Sequence, residues 1–376
     1  MATKTDNLIG VASGAKGHSS QGIKRDPYLD LLRVIAVSSV VVYHLAQMSP
    51  VPIPAVTQFT RVGCYGVDLF FVLSGWLIGG LYWRELQKYG NVEIGRFWLR
   101  RWFRTIPPYM VALLLSWGAV YIERKESFDF GYLFFVQNYY KQIPFFLVSW
   151  SLCIEEHFYL FLPLLLLLVG RIRFAVTILF SILILASFIC RLFYSLTMEG
   201  TTGISGGFGY YTTATHLRLE GLILGFWAVR LFILHKETWL KLKKLSKQFV
   251  IPLLIVTIAL MFISQTWMYR VGFSLLAFTL MTVLVLCVDF ETSSFIMPNI
   301  IRYIAQASYS IYLTHALMLH VARKAVHLFQ FLPWYCYFPI AIFAIGVMGF
   351  VFYFAIERTS IMIRDRWLPR RAKCIV

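Results

Sequence analysis

The sequence predicts an all-α fold: a polytopic membrane helix bundle of about ten transmembrane helices, with both termini cytoplasmic. Three observations predict it. The 376 residues are 59% hydrophobic and only 14% charged. Their mean hydropathy is +0.69, too apolar for a soluble protein of this length. Ten apolar stretches are each long enough to cross a bilayer: 29–48, 64–83, 105–122, 150–170, 174–194, 213–234, 249–266, 271–290, 302–321 and 336–357. With the N-terminus inside, 23 Lys and Arg residues fall in inner segments and 7 in outer ones. The other 5 (Arg33, Arg191, Arg218, Arg230, Arg302) fall within spans. Cytoplasmic loops carry such an excess. The net charge of +17 is therefore membrane topology rather than a nucleic-acid stripe, since the basic residues alternate with apolar runs. The organisation expected is a disordered, polar cytoplasmic segment over 1–26, a membrane domain over 27–358 and a basic cytoplasmic tail over 359–376.

The first stretch carries Arg33 and His44. Burying such groups in lipid is costly, so each is a candidate functional residue. Eleven residues at 1.5 Å rise separate them by roughly 16 Å and return them to nearly the same helix face. The second stretch opens on Asp68. Before the third stands RRWFRTIPPYM, in which Pro107 and Pro108 suit the first turn of a helix. A helix beginning there would add its free N–H groups to Arg104 as an anion site. Segment 131–148 is read as interfacial or re-entrant, because a crossing there would invert every later loop. The fourth stretch begins SWSLCIEEHFYL. Adjacent glutamates point about 100° apart on a helix, so only one faces the bundle axis; Glu156 is taken as that one, and its structural alternative is a salt bridge to Arg218. The outer loop 198–211 is either a lid over the bundle or a linker. The sixth stretch carries Arg218 and Glu220 early, and the basic KETWLKLKKLSK segment follows as an inner loop. His315, in SYSIYLTH, is either catalytic or a hydrogen-bonded interior histidine. The last stretch ends on Glu357. The six cysteines show no CxxC pair or metal spacing, so they are read as structural thiols. No internal repeat is visible, unlike in many transporters.

This order sorts the polar residues into two layers. The outer layer holds His44, Asp68, Glu155, Glu156, His157, Arg218, Glu220 and His315. The inner one holds Arg33, Arg100, Arg101, Arg104 and Glu357. Carboxylates and imidazoles in a protected cavity suit general acid–base work. Arginines near the cytosolic face suit a phosphate-bearing ligand, through bidentate contacts. No ligand spacing calls for a metal. The competing class is a proton-coupled transporter or flippase for a sugar-lipid or small polar molecule, which would use a similar outer set.

Five motifs in this order, LDLLRVIAVSSVVVYH, GVDLFFVLSGWLI, FWLRRWFRTIPPY, SWSLCIEEHFYLFLPLL and SYSIYLTH, resemble acyltransferase family 3 over residues 27 to 358. These are integral-membrane O-acyltransferases that act on bacterial surface polysaccharides, lipopolysaccharide O-antigens and related acceptors. The resemblance implies a multi-pass protein of the bacterial cytoplasmic (inner) membrane. Arg33 and His44 fit the family's Arg-x10-His signature, with the histidine catalytic. Arg101 and Arg104 fit its Arg-x-x-Arg motif, linked to the acyl-CoA donor; Glu155 and Glu156 fit its Trp-Ser-Leu-x-x-Glu-Glu motif. His157 departs from the usual glutamine, and Thr314 from a common tryptophan. The hydrolase-like domain fused to some members is not expected after the tenth stretch. The implied reaction moves an acyl group, acetyl first among the choices, from cytoplasmic acetyl-CoA or another acyl-CoA to a carbohydrate hydroxyl outside. The acceptor is free or lipid-linked. His44 would be the general base, with Asp68 and Glu156 orienting the acceptor and Arg33, Arg101 and Arg104 holding the donor. Glu155, Arg218 and His315 are further site candidates. Membrane lipids are expected partners, no metal is expected, and the oligomeric state stays open.

Overall fold

Helix formation follows the apolar stretches closely, because a bilayer leaves the backbone no partner but itself. The computed structural model describes residues 26–140, 142–169, 174–197, 210–288, 298–329, 331–369 and 371. Residues 1–25 of the segment 1–26 expected to be disordered, residues 198–209 of the outer loop 198–211 (lid or linker) and Cys374 lie outside the described residues.

Ten long helices follow one another: α1 (Pro27–Gln47), α2 (Gly66–Tyr89), α3 (Ile94–Arg124), α4 (Trp150–Val169), α5 (Ala175–Thr197), α6 (Glu220–Leu234), α7 (Lys236–Ile263), α8 (Phe273–Cys287), α9 (Asn299–Leu328) and α10 (Tyr337–Phe352). Asp26 caps α1, its side chain accepting from the Tyr28 N–H, and Pro27 fills the first position, where its missing N–H costs nothing. Among the described residues no strand occurs.

Among the described residues, eight helical stretches are long and apolar enough to cross a membrane. The two predicted spans that fall short are α6 and α9. Helix α6 has 15 residues, roughly 22 Å, less than a hydrocarbon core of about 30 Å. Ten of those residues are buried. Helix α9 carries Arg302, Gln306, Ser308, Ser310 and His315 and buries much of its polar face. A helix wrapped by other helices need not present an apolar surface all round. Both still keep the alternation of the bundle. One large cavity is lined by the start of α1, the end of α2, the end of α6, the residue after α8, the start of α9 and the turn after α10. Those are the ends that ten alternating helices bring to one side.

Three boundaries differ from expectation. Helix α3 does not begin at Pro107. It begins at Ile94 and carries Pro107 and Pro108 inside it, as membrane helices tolerate when neighbours re-satisfy the backbone. The KETWLKLKKLSK segment is not a loop but the first turns of α7. Trp239 and Ser246 are buried there while Lys241 and Lys244 are exposed, an amphipathic pattern. Helix α10 continues through a π-turn, Tyr353–Glu357, into α11 (Arg358–Trp367), so no break in structure marks residue 358.

Segment 131–148 forms no long helix but only short 3-10 turns. It is pinned to the bundle: the Tyr109 hydroxyl donates to the Tyr132 carbonyl at 2.9 Å. The Asn138 amide donates to the Thr213 carbonyl at 3.0 Å and to Thr215 Oγ1 at 2.8 Å. Irregular backbone at membrane depth needs such protein partners.

The closest helix contact is between α2 and α6. A Cβ on Gly75 would lie 2.0 Å from the Leu222 carbonyl oxygen, and one on Gly225 would lie 2.1 Å from that of Val72. Only glycine permits this approach. At the end where α2 meets α3, Arg96 donates to the Pro369 carbonyl and Arg100 to that of Leu368. Arg371 also meets Glu93 at 3.1 Å. The basic stretch after α2 and the basic tail therefore share one end of the bundle.

Candidate active site

Helix α1 presents its two polar residues as the 3.6 periodicity requires. Arg33 sits at the cavity end, paired with Asp30 at 2.6 Å. His44 sits toward the other end and meets His315 of α9. Nε2 of His315 lies 3.3 Å from Nδ1 of His44, and the ring centroids are 5.1 Å apart. His315 is fully buried. Its Nδ1 lies 2.6 Å from the Tyr312 carbonyl oxygen, and Nδ1 of His44 lies 3.0 Å from that of Val40.

Two cavities approach this pair from the Arg33 side. The lower, of about 440 Å³, is lined by Asp26, Asp30, Arg33, Arg84, Arg104 and Glu357 among others. The upper, of about 80 Å³, shares Arg33, Leu77 and Arg104 with it and ends among Phe70, Ser151 and Tyr312. The Tyr312 hydroxyl is 2.7 Å from Ser151 Oγ, and its ring centroid is 5.5 Å from that of His315. A third cavity, of about 100 Å³, lies at the opposite end of α1. Its walls are Tyr43, Arg61, Cys64, Tyr65, Asp68, Trp150, Thr212, Arg218, Gln265, Tyr269 and Phe273. The Tyr43 ring packs edge-on to His44 at 4.8 Å. The histidine pair lines none of these three cavities; it lies between residues that line them, with Tyr312 against His315 and Tyr43 against His44, toward opposite ends of α1.

The cations are mostly committed to carboxylates. Arg101 meets Glu155 at 3.2 Å and donates to the Tyr159 hydroxyl at 2.9 Å. Glu155 also accepts from Ser74 at 2.9 Å. Arg104 Nε lies 3.7 Å from Glu357, which accepts from Ser310 at 2.7 Å. Glu357 closes the π-turn after α10, a local irregularity frequent at functional sites. Arg84 stands apart: among the described residues it has no ion-pair partner. At the other end Asp68 and Arg218 pair at 2.7 Å, both buried, with the guanidinium 3.7 Å from the Phe273 ring centroid. Beside them Arg191 and Glu220 pair at 2.7 Å, bridged by Ser274.

Several sequence expectations change. The anion site built on a helix start at Pro107 does not form, because that point is mid-helix. Both glutamates of α4 meet the bundle: Glu156 is buried beside Thr105 and Trp102 of α3, as expected of the one that faces inward, while Glu155 lines the upper cavity. The salt bridge considered for Arg218 is made by Asp68, not Glu156. The two layers also meet, since Glu155 of the outer set holds Arg101 of the inner one. Starting α3 at Ile94 carries Arg101 two turns into the bundle. Tyr312, Arg84 and Ser74 fall outside the sequence expectations, as does the pairing of Glu220 with Arg191. Tyr309, Tyr312 and His315 recur every three residues, which was the available signal for Tyr312. Among the described residues no cluster of His, Cys, Asp or Glu has metal-holding geometry.

The family described as an acyltransferase domain, acyltransferase family 3, matches residues 26–355. The chain is similar to O-acetyltransferase OatA of Staphylococcus aureus (strain NCTC 8325 / PS 47), 29% identical over 322 residues, covering 77% of this chain and 50% of that one. A protein of S. aureus (strain COL), provisionally named an O-acetyltransferase, is 29% identical over 320 residues with the same coverage. The chain thus spans about half the length of these curated relatives. No solved structure matches it.

Proposed function

The chain belongs to this acyltransferase family, and from that premise we propose that it transfers an acetyl group from cytoplasmic acetyl-CoA to a carbohydrate hydroxyl on the far side of a bacterial cytoplasmic membrane. The acceptor is a surface glycan such as a polysaccharide or O-antigen, free or lipid-linked. The observation that supports the reading is the His44–His315 pair lying between cavities near opposite ends of α1. Only such a site lets a donor and an acceptor meet without either crossing.

The donor enters the lower cavity from the end rich in Lys and Arg. Its phosphates meet Arg33 and Arg104 on the wall shared by both cavities, and Arg84 at the mouth. Arg101, held by Glu155 and Tyr159, faces the narrower part of the donor in the upper cavity. The acceptor enters the outer cavity, whose five aromatic walls suit the apolar faces of a sugar. Asp68 is the carboxylate placed to orient it; Glu156 lines neither cavity and is not given that task. His44 takes the proton of the acceptor hydroxyl as its oxygen attacks the thioester carbonyl carbon. The carbon–sulfur bond breaks, the CoA thiolate leaves and takes the proton back from His44, and the products are the ester and CoA. General base catalysis contributes typically 10²–10⁴-fold. Holding both substrates in attack geometry supplies much of the rest.

The test uses the full chain in lipid vesicles with radiolabelled acetyl-CoA and an extracted surface glycan. Label should move to the glycan, and His44→Ala should lower that rate by about 10²-fold or more while still inserting. Wild-type rates in the variant would sink the assignment of the base. Movement of glycan across the vesicle without acetylation would favour transport instead.

A further inference from the structure

The two histidines are not equivalent, and their surroundings say which one can act. A carbonyl oxygen can only accept a hydrogen bond. The Tyr312 carbonyl lies 2.6 Å from Nδ1 of His315, so that nitrogen carries the proton. In a neutral ring the other nitrogen then holds the lone pair. That atom, Nε2, faces Nδ1 of His44 at 3.3 Å. Nδ1 of His44 also faces a second acceptor, the Val40 carbonyl, at 3.0 Å. Both neighbours require a proton on Nδ1 of His44. The lone pair of His44 is thereby assigned to Nε2, and His315 is left with no uncommitted ring nitrogen.

We infer that His315 is the positioning residue of the transfer: it accepts the Nδ1 proton of His44 and so reserves Nε2 of His44 as the base. The inference rests on the reading of His44 given above. The Val40 carbonyl shares the task through its second lone pair, beside the helical N–H of residue 44, and Nε2 of His315 is the side-chain acceptor that adds to it. A carboxylate is the familiar partner for such a ring, but an unpaired one in this setting would be a buried charge. A neutral imidazole gives the same directional hydrogen bond without that cost. It also stabilises the imidazolium that forms while the acceptor's proton is held.

The test joins kinetics with nitrogen-15 NMR of histidine-labelled full chain in lipid nanodiscs. In the wild type, the ring signal that disappears in His44→Gln should show a protonated Nδ1 and a bare Nε2. His315→Leu should lower kcat by about 10²-fold or more, within the range of general base catalysis, with KM for acetyl-CoA changed less than about twofold. His315→Gln, whose amide oxygen can accept the same bond, should recover at least tenfold of that loss. A bare Nδ1 on His44 in the wild type would overturn the inference, and that measurement needs no variant to fold. Full turnover in His315→Leu would overturn it too, as would equal loss in the Leu and Gln variants. The underlying reading fails separately, through an active His44→Gln.

Discussion

Asp68 and Arg218 show what a single buried residue is worth in this bundle. Removing one partner of a buried pair leaves the other charge without compensation. Arg218→Leu should therefore destabilise the fold by about 3–5 kcal/mol, read as a lower melting temperature in detergent. Asp68→Leu/Arg218→Leu together should recover most of that stability, though not acetyl transfer. A second pair of variants separates donor binding from architecture. Arg84 has no ion-pair partner among the described residues and lines the lower cavity. Arg84→Ala should raise KM for acetyl-CoA roughly tenfold, the value of one charge-assisted contact of about 1.5 kcal/mol, with kcat little changed. Arg101→Ala should instead lower kcat or stability, because its guanidinium holds Glu155 and Tyr159. Steady-state kinetics on both variants decide this, and the reverse pattern would return the phosphates to Arg101. Arg33 and His44 were legible in the sequence because one helix period relates them. The commitments of Arg101 and Arg218 were not. Their partners lie 54 and 150 positions away, and only packing brings them together.

At the scale of the element, the junction of α2 with α6 carries the most exacting geometry. Gly75 and Gly79 on one helix, and Gly221 and Gly225 on the other, are two G-x-x-x-G patterns at close-packed helix surfaces. Gly225→Ala should destabilise by about 1–3 kcal/mol, the cost of overpacking. Gly118→Ala, where an added Cβ meets nothing within 4 Å, should stay within about 0.5 kcal/mol. Comparable losses from both would mean that helix contact is not the cause; chemical denaturation in detergent distinguishes the two. This pattern could have been read from the sequence, since the spacing alone signals a helix interface. The start of α3 could not. Pro107 and Pro108 mark a first turn as plausibly as an interior supported by neighbours, and local sequence does not show the neighbours. The basic opening of α7 misled for a similar reason: charge argued for a loop, while burial of Trp239 and Ser246 made a helix.

The molecule as a whole is an alternating bundle, and that alternation has a sidedness that can be measured. With the native cysteines replaced, Ser127→Cys should react with an impermeant thiol reagent in intact cells. Lys244→Cys should react only after lysis. The basis is the 23-to-7 asymmetry of Lys and Arg together with the reading of 131–148, whose helical parts among the described residues are short 3-10 turns, as a segment that does not cross. Labelling of both from one side would mean that the chain crosses an even number of times between them. The alternation was legible because lipid imposes length and apolarity on each crossing. The enclosure of α6 and α9 was not, because their surroundings are protein. Helix α1 has one further consequence. A continuous helix from Pro27 to Gln47 is a stiff ruler, with Arg33 at one mark and His44 at the other, roughly 16 Å on. A donor is measured against it: when its phosphates are seated at the first mark, its thioester is delivered to the second. Acetyl-pantetheine, which lacks the nucleotide, has nothing to seat. It should lose turnover as well as affinity, because remote binding energy fixes the reacting end. Saturation kinetics with that short donor would show it, and an undiminished kcat would mean that the thioester finds His44 without the ruler.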